Sequence, residues 1–110
     1  MSGWIGVDLD GTLAEYGEWK GSDHIGEPVG GMAFRVRKWL AEGREVRIFT
    51  ARACVPEQVA AVEAWTLKHF GVALQVTCKK DFGMVELWDD RAVRVKANEG
   101  EPCCAHHATT

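Results

Sequence analysis

Short apolar segments alternate with segments of helical periodicity along this chain, and that alternation limits the folds it can adopt. The run Trp4-Ile-Gly-Val-Asp-Leu predicts a buried strand, and apolar residues at helical spacing over 32–42 predict a helix. Val46-Arg-Ile-Phe-Thr alternates like a strand, and Pro56 begins a second helical pattern that ends near Gly71. Strands separated by helices pair in parallel, so the pattern predicts an α/β fold with a mostly parallel sheet.

Three further short segments complete the predicted sheet. Leu74-Gln-Val, Val85-Glu-Leu-Trp and Val93-Arg-Val each have the composition of a strand. Together with the first two strands they predict five strands. The segment 13–31, rich in glycine, predicts a loop or small hairpin between the first strand and the first helix.

Composition narrows the class of protein. The 110 residues fit one domain, which we expect to cover 1–97, with a mobile C-terminal tail over 98–110. The formal charge of −3 argues against a broad grip on a nucleic-acid backbone, although nucleic acid stays possible as a partner. The sequence shows neither an apolar run of membrane-spanning length nor a signal peptide, and its four cysteines suit a reducing compartment. We therefore expect a cytoplasmic protein that does not enter a membrane.

Chemically active side chains follow the predicted strands. In parallel α/β sheets, ligands bind at the carboxyl ends of the strands. The residues that we expect to meet there are Asp8 and Asp10 after the first strand, Thr50 and Arg52 after the second, Lys79 and Lys80 before the fourth, and Asp89 and Asp90 after the fourth.

Such a group of side chains suits phosphoryl chemistry. Crowded carboxylates repel each other, and a divalent cation relieves the repulsion. Oxygen ligands without histidine favour Mg²⁺, which is commonly shared with a substrate phosphate. One aspartate can attack phosphorus, and a second aspartate two residues on can transfer protons.

The same residues resemble the motifs of the haloacid-dehalogenase (HAD) superfamily. Val7-Asp8-Leu9-Asp10-Gly11-Thr12 matches its hhhDxDGT signature, and Ile48-Phe49-Thr50 is similar to its second motif. Lys79 or Lys80 is similar to the third motif, and Leu87-Trp88-Asp89-Asp90 to the fourth. The resemblance covers about residues 4–96. It implies a Rossmann-like three-layer sandwich of the HAD type.

The resemblance also implies roles for individual residues. Asp8 becomes the nucleophile and a metal ligand, and Asp10 becomes the general acid/base and a metal ligand through its backbone carbonyl. Thr50 holds the phosphoryl oxygens. Lys80, with Lys79 as the alternative, neutralises the phospho-aspartate.

In the fourth motif, the resemblance makes Asp90 the more direct Mg²⁺ ligand, while Asp89 orients the lysine. Which of the two contacts the metal stays open.

Four further residues are candidates for binding the phosphate or the rest of the substrate. They are Gly11 and Thr12 in the first motif, Arg52 after the second motif, and Trp19 in the segment 13–31. An exposed structural role for Arg52 is an equal alternative. Trp19 has no periodic core face around it and is able to stack on a base or sugar.

The family carries cap domains at two places, and neither place has room for one here. The segment 13–31 is long enough for a hairpin flap only. The resemblance therefore implies a capless Mg²⁺-dependent phosphatase that acts on a small phosphorylated molecule or a macromolecular end. Three alternatives stay open: a nucleotide or nucleic-acid end phosphatase, a phosphotransferase, and a HAD-like binding or assembly module with little turnover. Oligomeric state stays open too, as does metal binding by the cysteines and histidines of the tail, Cys103, Cys104, His106 and His107.

Overall fold

The computed structural model describes residues 3–103, which form an α/β fold with a parallel sheet. Its elements are β1 (Trp4–Val7), α1 (Gly30–Ala41), β2 (Glu45–Phe49), α2 (Pro56–Phe70), β3 (Gln75–Thr77) and β4 (Met84–Trp88), with a short 3₁₀ helix, Ala51–Cys54, after β2. The predicted alternation of strands and helices is confirmed. Pro56 occupies the first turn of α2, and Gly71 ends that helix in the left-handed conformation that glycine adopts at little cost.

The strand order explains where the core lies. The sheet runs β3-β2-β1-β4, and all of its pairings are parallel. The steps from β1 to β2 and from β2 to β3 go in one direction, so right-handed crossovers place α1 and α2 on the same face. Ile5 and Ile48 on that face are fully buried in one cluster with Val36 of α1 and Val62 of α2.

Two finer expectations about the sheet need correction. The described residues contain four strands rather than five, because Val93-Arg-Val does not join the sheet. The chain turns away after β4, and Val95 forms an antiparallel bridge with Pro102 instead. Because both helices lie on one face, the described residues form two layers rather than three.

Residues 13–29 return on themselves as a flap, while Gly30 and Gly31, which the sequence predicted as part of this loop, begin α1. The Val29 amide donates to the Leu13 carbonyl at 2.7 Å, and the Glu15 amide donates to the Glu27 carbonyl at 2.9 Å. Trp65 of α2 donates its indole N–H to the Gly26 carbonyl at 3.0 Å. The base of the flap is therefore fixed to the helical layer.

The start of the predicted tail folds back on the preceding residues. The Lys96 amide donates to the Glu101 carbonyl, and the Cys103 amide donates to the Arg94 carbonyl. Cys104, His106 and His107, which the sequence offered as possible metal ligands, lie outside the described residues. Cys54, Cys78 and Cys103 are free thiols. Within 3–103, neither helix combines the length and the apolar character needed to cross a membrane.

Candidate active site

Three carboxylates meet at the carboxyl edge of the sheet. Asp8 follows β1, and Asp89 and Asp90 follow β4, which is the parallel neighbour of β1. The Asp8 amide donates to the Trp88 carbonyl at 2.9 Å, which continues the β1–β4 pairing into the site. One oxygen from each of the three carboxylates lies within 4.8 Å of the others. This arrangement is able to hold a metal ion.

The cluster makes Asp8 a weaker acid than an ordinary aspartic acid. Burial is the largest of several causes, with the negative charge of Asp89 next, that together raise the pKa of Asp8 from its ordinary value of 3.8 to about 7. A hydrogen bond with the Asp90 carboxyl also favours the protonated form of Asp8. In this partly buried place the neighbouring carboxylates disfavour the ionised form of Asp8, and a bound cation would stabilise it.

Thr12 ties the two sides of the cluster together. Its buried hydroxyl lies 3.0 Å from Asp90 Oδ1 and 3.3 Å from Asp8 Oδ2, and it accepts a hydrogen bond from the Asp90 amide at 3.0 Å. The Thr12 hydroxyl is therefore engaged by groups of Asp8 and Asp90.

Gly11 lets Asp90 come close. Its φ is +88°, and a Cβ built there would lie 2.8 Å from Asp90 Oδ2. Any other residue would strain the backbone and press against that carboxylate. Gly11 and Thr12, predicted to bind phosphate, lie beside the acidic cluster and shape it.

Asp10 faces Arg52 instead of the three carboxylates. Arg52 Nε donates to Asp10 Oδ2 at 2.8 Å, and Nη2 donates to Asp10 Oδ1 at 2.9 Å. Arg52 is only 5% exposed, so the expectation that a structural Arg52 would be exposed is wrong. This two-point geometry is a strong and specific form of carboxylate recognition.

The same guanidinium also holds the flap. Nη1 donates to the Ser22 carbonyl at 3.1 Å, and Nη2 donates to the His24 carbonyl at 2.9 Å. The guanidinium carbon lies 4.9 Å from the centre of the Trp19 ring, within the range of a cation–π contact. Arg52 therefore joins Asp10 to the flap, a link that the sequence did not reveal.

Thr50 ends β2 and begins the short 3₁₀ helix. Its hydroxyl accepts the Arg52 amide at 3.2 Å, and its own amide donates to the Thr77 carbonyl at 2.9 Å. The side chain is buried, yet it borders the same cavity as Asp8.

An open cavity of about 690 Å³ brings most of the predicted site together. The predicted residues that line it are Asp8, Asp10, Trp19, Thr50, Arg52, Asp89 and Asp90. Arg91, which is not among the predicted site residues, also lines it. The position of Arg91 directly after the Asp-Asp pair was the available signal.

Three predicted positions do not line this cavity: Gly11 and Thr12, which contact Asp90 instead, and the predicted lysine. Lys79 and Lys80 are both exposed, and neither lines the cavity. Across the described part of the chain, no ion pair joins either lysine to a carboxylate. Lys79 lies near Cys54, and Cys54 does border the cavity.

Cys54 has the environment of an unreactive thiol. A hydrogen bond with the Cys78 side chain is the main cause that raises the pKa of Cys54 above its ordinary value of 9.0. Since the thiolate is the reactive form, this contact lowers the nucleophilicity of Cys54 near neutral pH.

Comparisons with known proteins leave this geometry as the main source of functional inference. No protein-family model matches the sequence, no curated protein matches it, and no solved structure matches the fold at a significant level.

Proposed function

We propose that this protein is a Mg²⁺-dependent phosphohydrolase that cleaves a phosphomonoester through an aspartyl-phosphate intermediate. The observation that carries the proposal is the acidic cluster of Asp8, Asp89 and Asp90 at the carboxyl edge of a parallel sheet. The order of the motifs and their resemblance to the HAD superfamily support the same conclusion. The proposal includes a capless HAD-type domain whose flap, residues 13–29, stands in place of a cap.

The donor set fits Mg²⁺. Asp8, Asp89 and Asp90 offer carboxylate oxygens, and no histidine or cysteine belongs to the cluster. Hard oxygen ligands of this kind suit Mg²⁺ better than zinc. When bound, Mg²⁺ supplies positive charge that stabilises the ionised carboxylates and the substrate phosphate. The raised pKa of Asp8 is what such carboxylates show before that charge arrives.

Asp8 is the proposed nucleophile. One of its carboxylate oxygens attacks phosphorus, a new O–P bond forms, and the bond from phosphorus to the leaving oxygen breaks. Asp10 gives a proton to that leaving oxygen, which departs as an alcohol. Asp10 then takes a proton from water as the water oxygen attacks phosphorus. The bond between phosphorus and Asp8 breaks, and inorganic phosphate leaves with the carboxylate restored.

Arg52 is the proposed positioning residue for Asp10. Both Asp10 oxygens are engaged by its guanidinium, which fixes the rotamer of the side chain. Each carboxylate oxygen keeps a second lone pair for a proton. In this proposal Arg52 acts through Asp10, which replaces the direct contact with phosphate that the sequence suggested.

Thr50 and a lysine complete the proposed phosphate site. Thr50 borders the cavity beside Asp8, and its hydroxyl proton is not used by the Arg52 amide that it accepts. Lys80, with Lys79 as the alternative, extends from the loop between β3 and β4 without a carboxylate partner among the described residues. Its long side chain is therefore available to a substrate that carries negative charge.

Two observations favour a second candidate, a HAD-like binding module with little turnover. Asp10 is tied to Arg52, and both lysines stand outside the cavity. A protein that only binds a phosphorylated partner needs the acidic cluster and the flap but no free proton donor.

Release of inorganic phosphate distinguishes these candidates. The purified protein is tested on sugar phosphates, nucleotides and phosphorylated oligonucleotides, with Mg²⁺ and with EDTA, beside the Asp8→Asn variant. The proposal expects release that needs Mg²⁺ and disappears in Asp8→Asn. Equal release by both proteins, or none by either while Mg²⁺ binds, contradicts it, and the second result favours the binding module.

A further inference from the structure

The flap carries two exposed aromatic side chains at the cavity that holds the acidic cluster. Trp19 is 54% exposed and Tyr16 is 49% exposed, and both line the cavity of Asp8. Tryptophan and tyrosine combine a large apolar ring with a polar group, and both are enriched at binding surfaces. These two aromatics are therefore the first candidates for contact with the non-phosphate part of a substrate.

Arg52 packs against the ring of Trp19. The Arg52 guanidinium lies against its ring at 4.9 Å, and that guanidinium is itself fixed by Asp10 and by the carbonyls of Ser22 and His24. A ring so anchored loses little conformational freedom when a ligand stacks on it. With one ring face on Arg52 and half of the side chain exposed, a planar group has room to stack on Trp19.

Tyr16 extends this surface toward a second concavity. It lines both the large cavity and an adjoining one of about 330 Å³, which also contains Lys20 and His24 of the flap. Asp10 and Arg52 form the wall that the two cavities share. A ligand with its phosphate at the acidic cluster thus meets aromatic surface and hydrogen-bonding groups on the flap side.

We infer that the site takes a nucleoside monophosphate, with the base against Trp19 and Tyr16 and the phosphate at the acidic cluster. This inference rests on the proposed function, since it names the substrate class of that same site. A planar base and a single phosphate, joined by one sugar, match the two chemically different groups of residues that line the cavity, the flap aromatics and the acidic cluster. Its volume of about 690 Å³ lies in the range of sites for small ligands.

Charge favours a mononucleotide over a nucleic-acid end. Six carboxylates border the two cavities, Asp8, Asp10, Glu15, Glu18, Asp89 and Asp90, against the cations Lys20, Arg52 and Arg91. The whole chain carries −3. These carboxylates would repel each additional phosphate of a polymer, whereas the proposed metal ion neutralises the charge of a single phosphate.

Binding to Asp8→Asn protein tests the inference separately from turnover. Calorimetric titrations with AMP, ribose 5-phosphate and a short 5′-phosphorylated oligonucleotide are made with Mg²⁺ present, first on Asp8→Asn and then on Asp8→Asn combined with Trp19→Ala. We expect AMP to bind at least about fivefold more tightly than ribose 5-phosphate, and Trp19→Ala to remove that preference. Asp8→Asn combined with Trp19→Phe is expected to retain most of it.

The matched control is Phe82→Ala in the same Asp8→Asn background. Phe82 is a fully exposed aromatic before β4, at the end of that strand opposite Asp89, and it does not line the cavity. Equal affinity for AMP and ribose 5-phosphate overturns the inference, as does a preference that survives Trp19→Ala or falls equally in Phe82→Ala. Tighter binding of the oligonucleotide than of AMP also overturns it. Failure of phosphate release by the wild-type protein is a separate result, which bears on the proposed function.

Discussion

Arg52 donates hydrogen bonds to both carboxylate oxygens of Asp10, at 2.8 Å and 2.9 Å. The same guanidinium also donates to two carbonyls of the flap. A residue placed by the end of β2 thus fixes both the proposed proton donor after β1 and the loop above it. The site and its flap are one connected structure, so a change in Arg52 affects both.

Replacement of Arg52 by alanine is predicted to destabilise the protein by about 3 kcal/mol, because it leaves Asp10 and two flap carbonyls without their donor. Urea denaturation measures the free energy of unfolding. Arg94→Ala is the control, since Arg94 is exposed, and it is predicted to change that energy by less than about 0.5 kcal/mol. Similar losses in the two variants would show that the buried contacts of Arg52 add no stability.

Gly11→Ala is predicted to weaken Mg²⁺ binding by about tenfold or more, because the new Cβ presses on Asp90 Oδ2. Gly43→Ala is a matched control. Gly43 has a similar φ of +77° but open space where a Cβ would lie, so it keeps the backbone penalty and lacks the clash. Titration calorimetry with Mg²⁺ compares the two variants. Equal affinities would mean that the close approach of Gly11 to Asp90 does not shape the metal site.

The raised pKa of Asp8 predicts a pH-dependent stability for the metal-free protein. Between about pH 4 and pH 7 the folded state keeps the Asp8 proton while the unfolded state has lost it, so stability falls as pH rises through this range. After allowance for solvent screening, the loss is about 1–2 kcal/mol. Thermal unfolding in EDTA at pH 5 and at pH 7.5 measures it. Asp8→Asn is expected to lack this part of the loss, and an identical pH dependence in both proteins would contradict the assignment.

The same pKa predicts that Mg²⁺ binding displaces a proton. Below about pH 7 the ion competes with the Asp8 proton, so Mg²⁺ affinity falls by up to about tenfold for each pH unit. Calorimetry in two buffers with different ionisation enthalpies counts the protons released. Near pH 6 we expect release approaching one proton in the wild-type protein and markedly less in Asp8→Asn. Release that is unchanged by the substitution would place the proton elsewhere.

Lys80→Ala is predicted to lower kcat by about 100-fold or more with little change in stability, since Lys80 is exposed and its proposed role is to neutralise charge on the phosphoryl group. Lys79→Ala is the neighbouring control and is expected to lower kcat much less. Steady-state kinetics under saturating substrate compare the two. A larger loss in Lys79→Ala would transfer the role to Lys79, the lysine closer to Cys54 at the cavity wall.

Local patterns predicted most of the fold. Pro56 and Gly71 marked the ends of α2, and the apolar run before Asp8 marked β1, because these features act within a few residues. The prediction of a fifth strand was wrong because strand formation depends on a partner that is distant in the sequence. Val93-Arg-Val has a strand-like pattern, but a strand also needs a partner, and its neighbour in the structure is the chain near Pro102.

In the candidate site, too, some contacts could be predicted from the sequence and others could not. Asp8, Asp89 and Asp90 come together because the ends of neighbouring parallel strands coincide, a relationship that strand order makes predictable. The contacts of Arg52 with Ser22 and His24 join residues 28 to 30 positions apart through a loop without periodicity. No spacing rule reveals such a contact, so the sequence suggested phosphate as the partner of Arg52.

Detection of a phosphorylated Asp8 tests whether the reaction passes through an aspartyl-phosphate intermediate. The wild-type protein is mixed with the best substrate and Mg²⁺ and quenched in acid within one turnover, and the mass of the peptide that contains Asp8 is measured. We expect a transient peptide heavier by one phosphoryl group that is missing from Asp8→Asn and that accumulates in Asp10→Asn, where water activation is impaired. Phosphate release by the wild-type protein without any phosphoryl group on Asp8, under conditions that trap such a group in Asp10→Asn, would contradict the account.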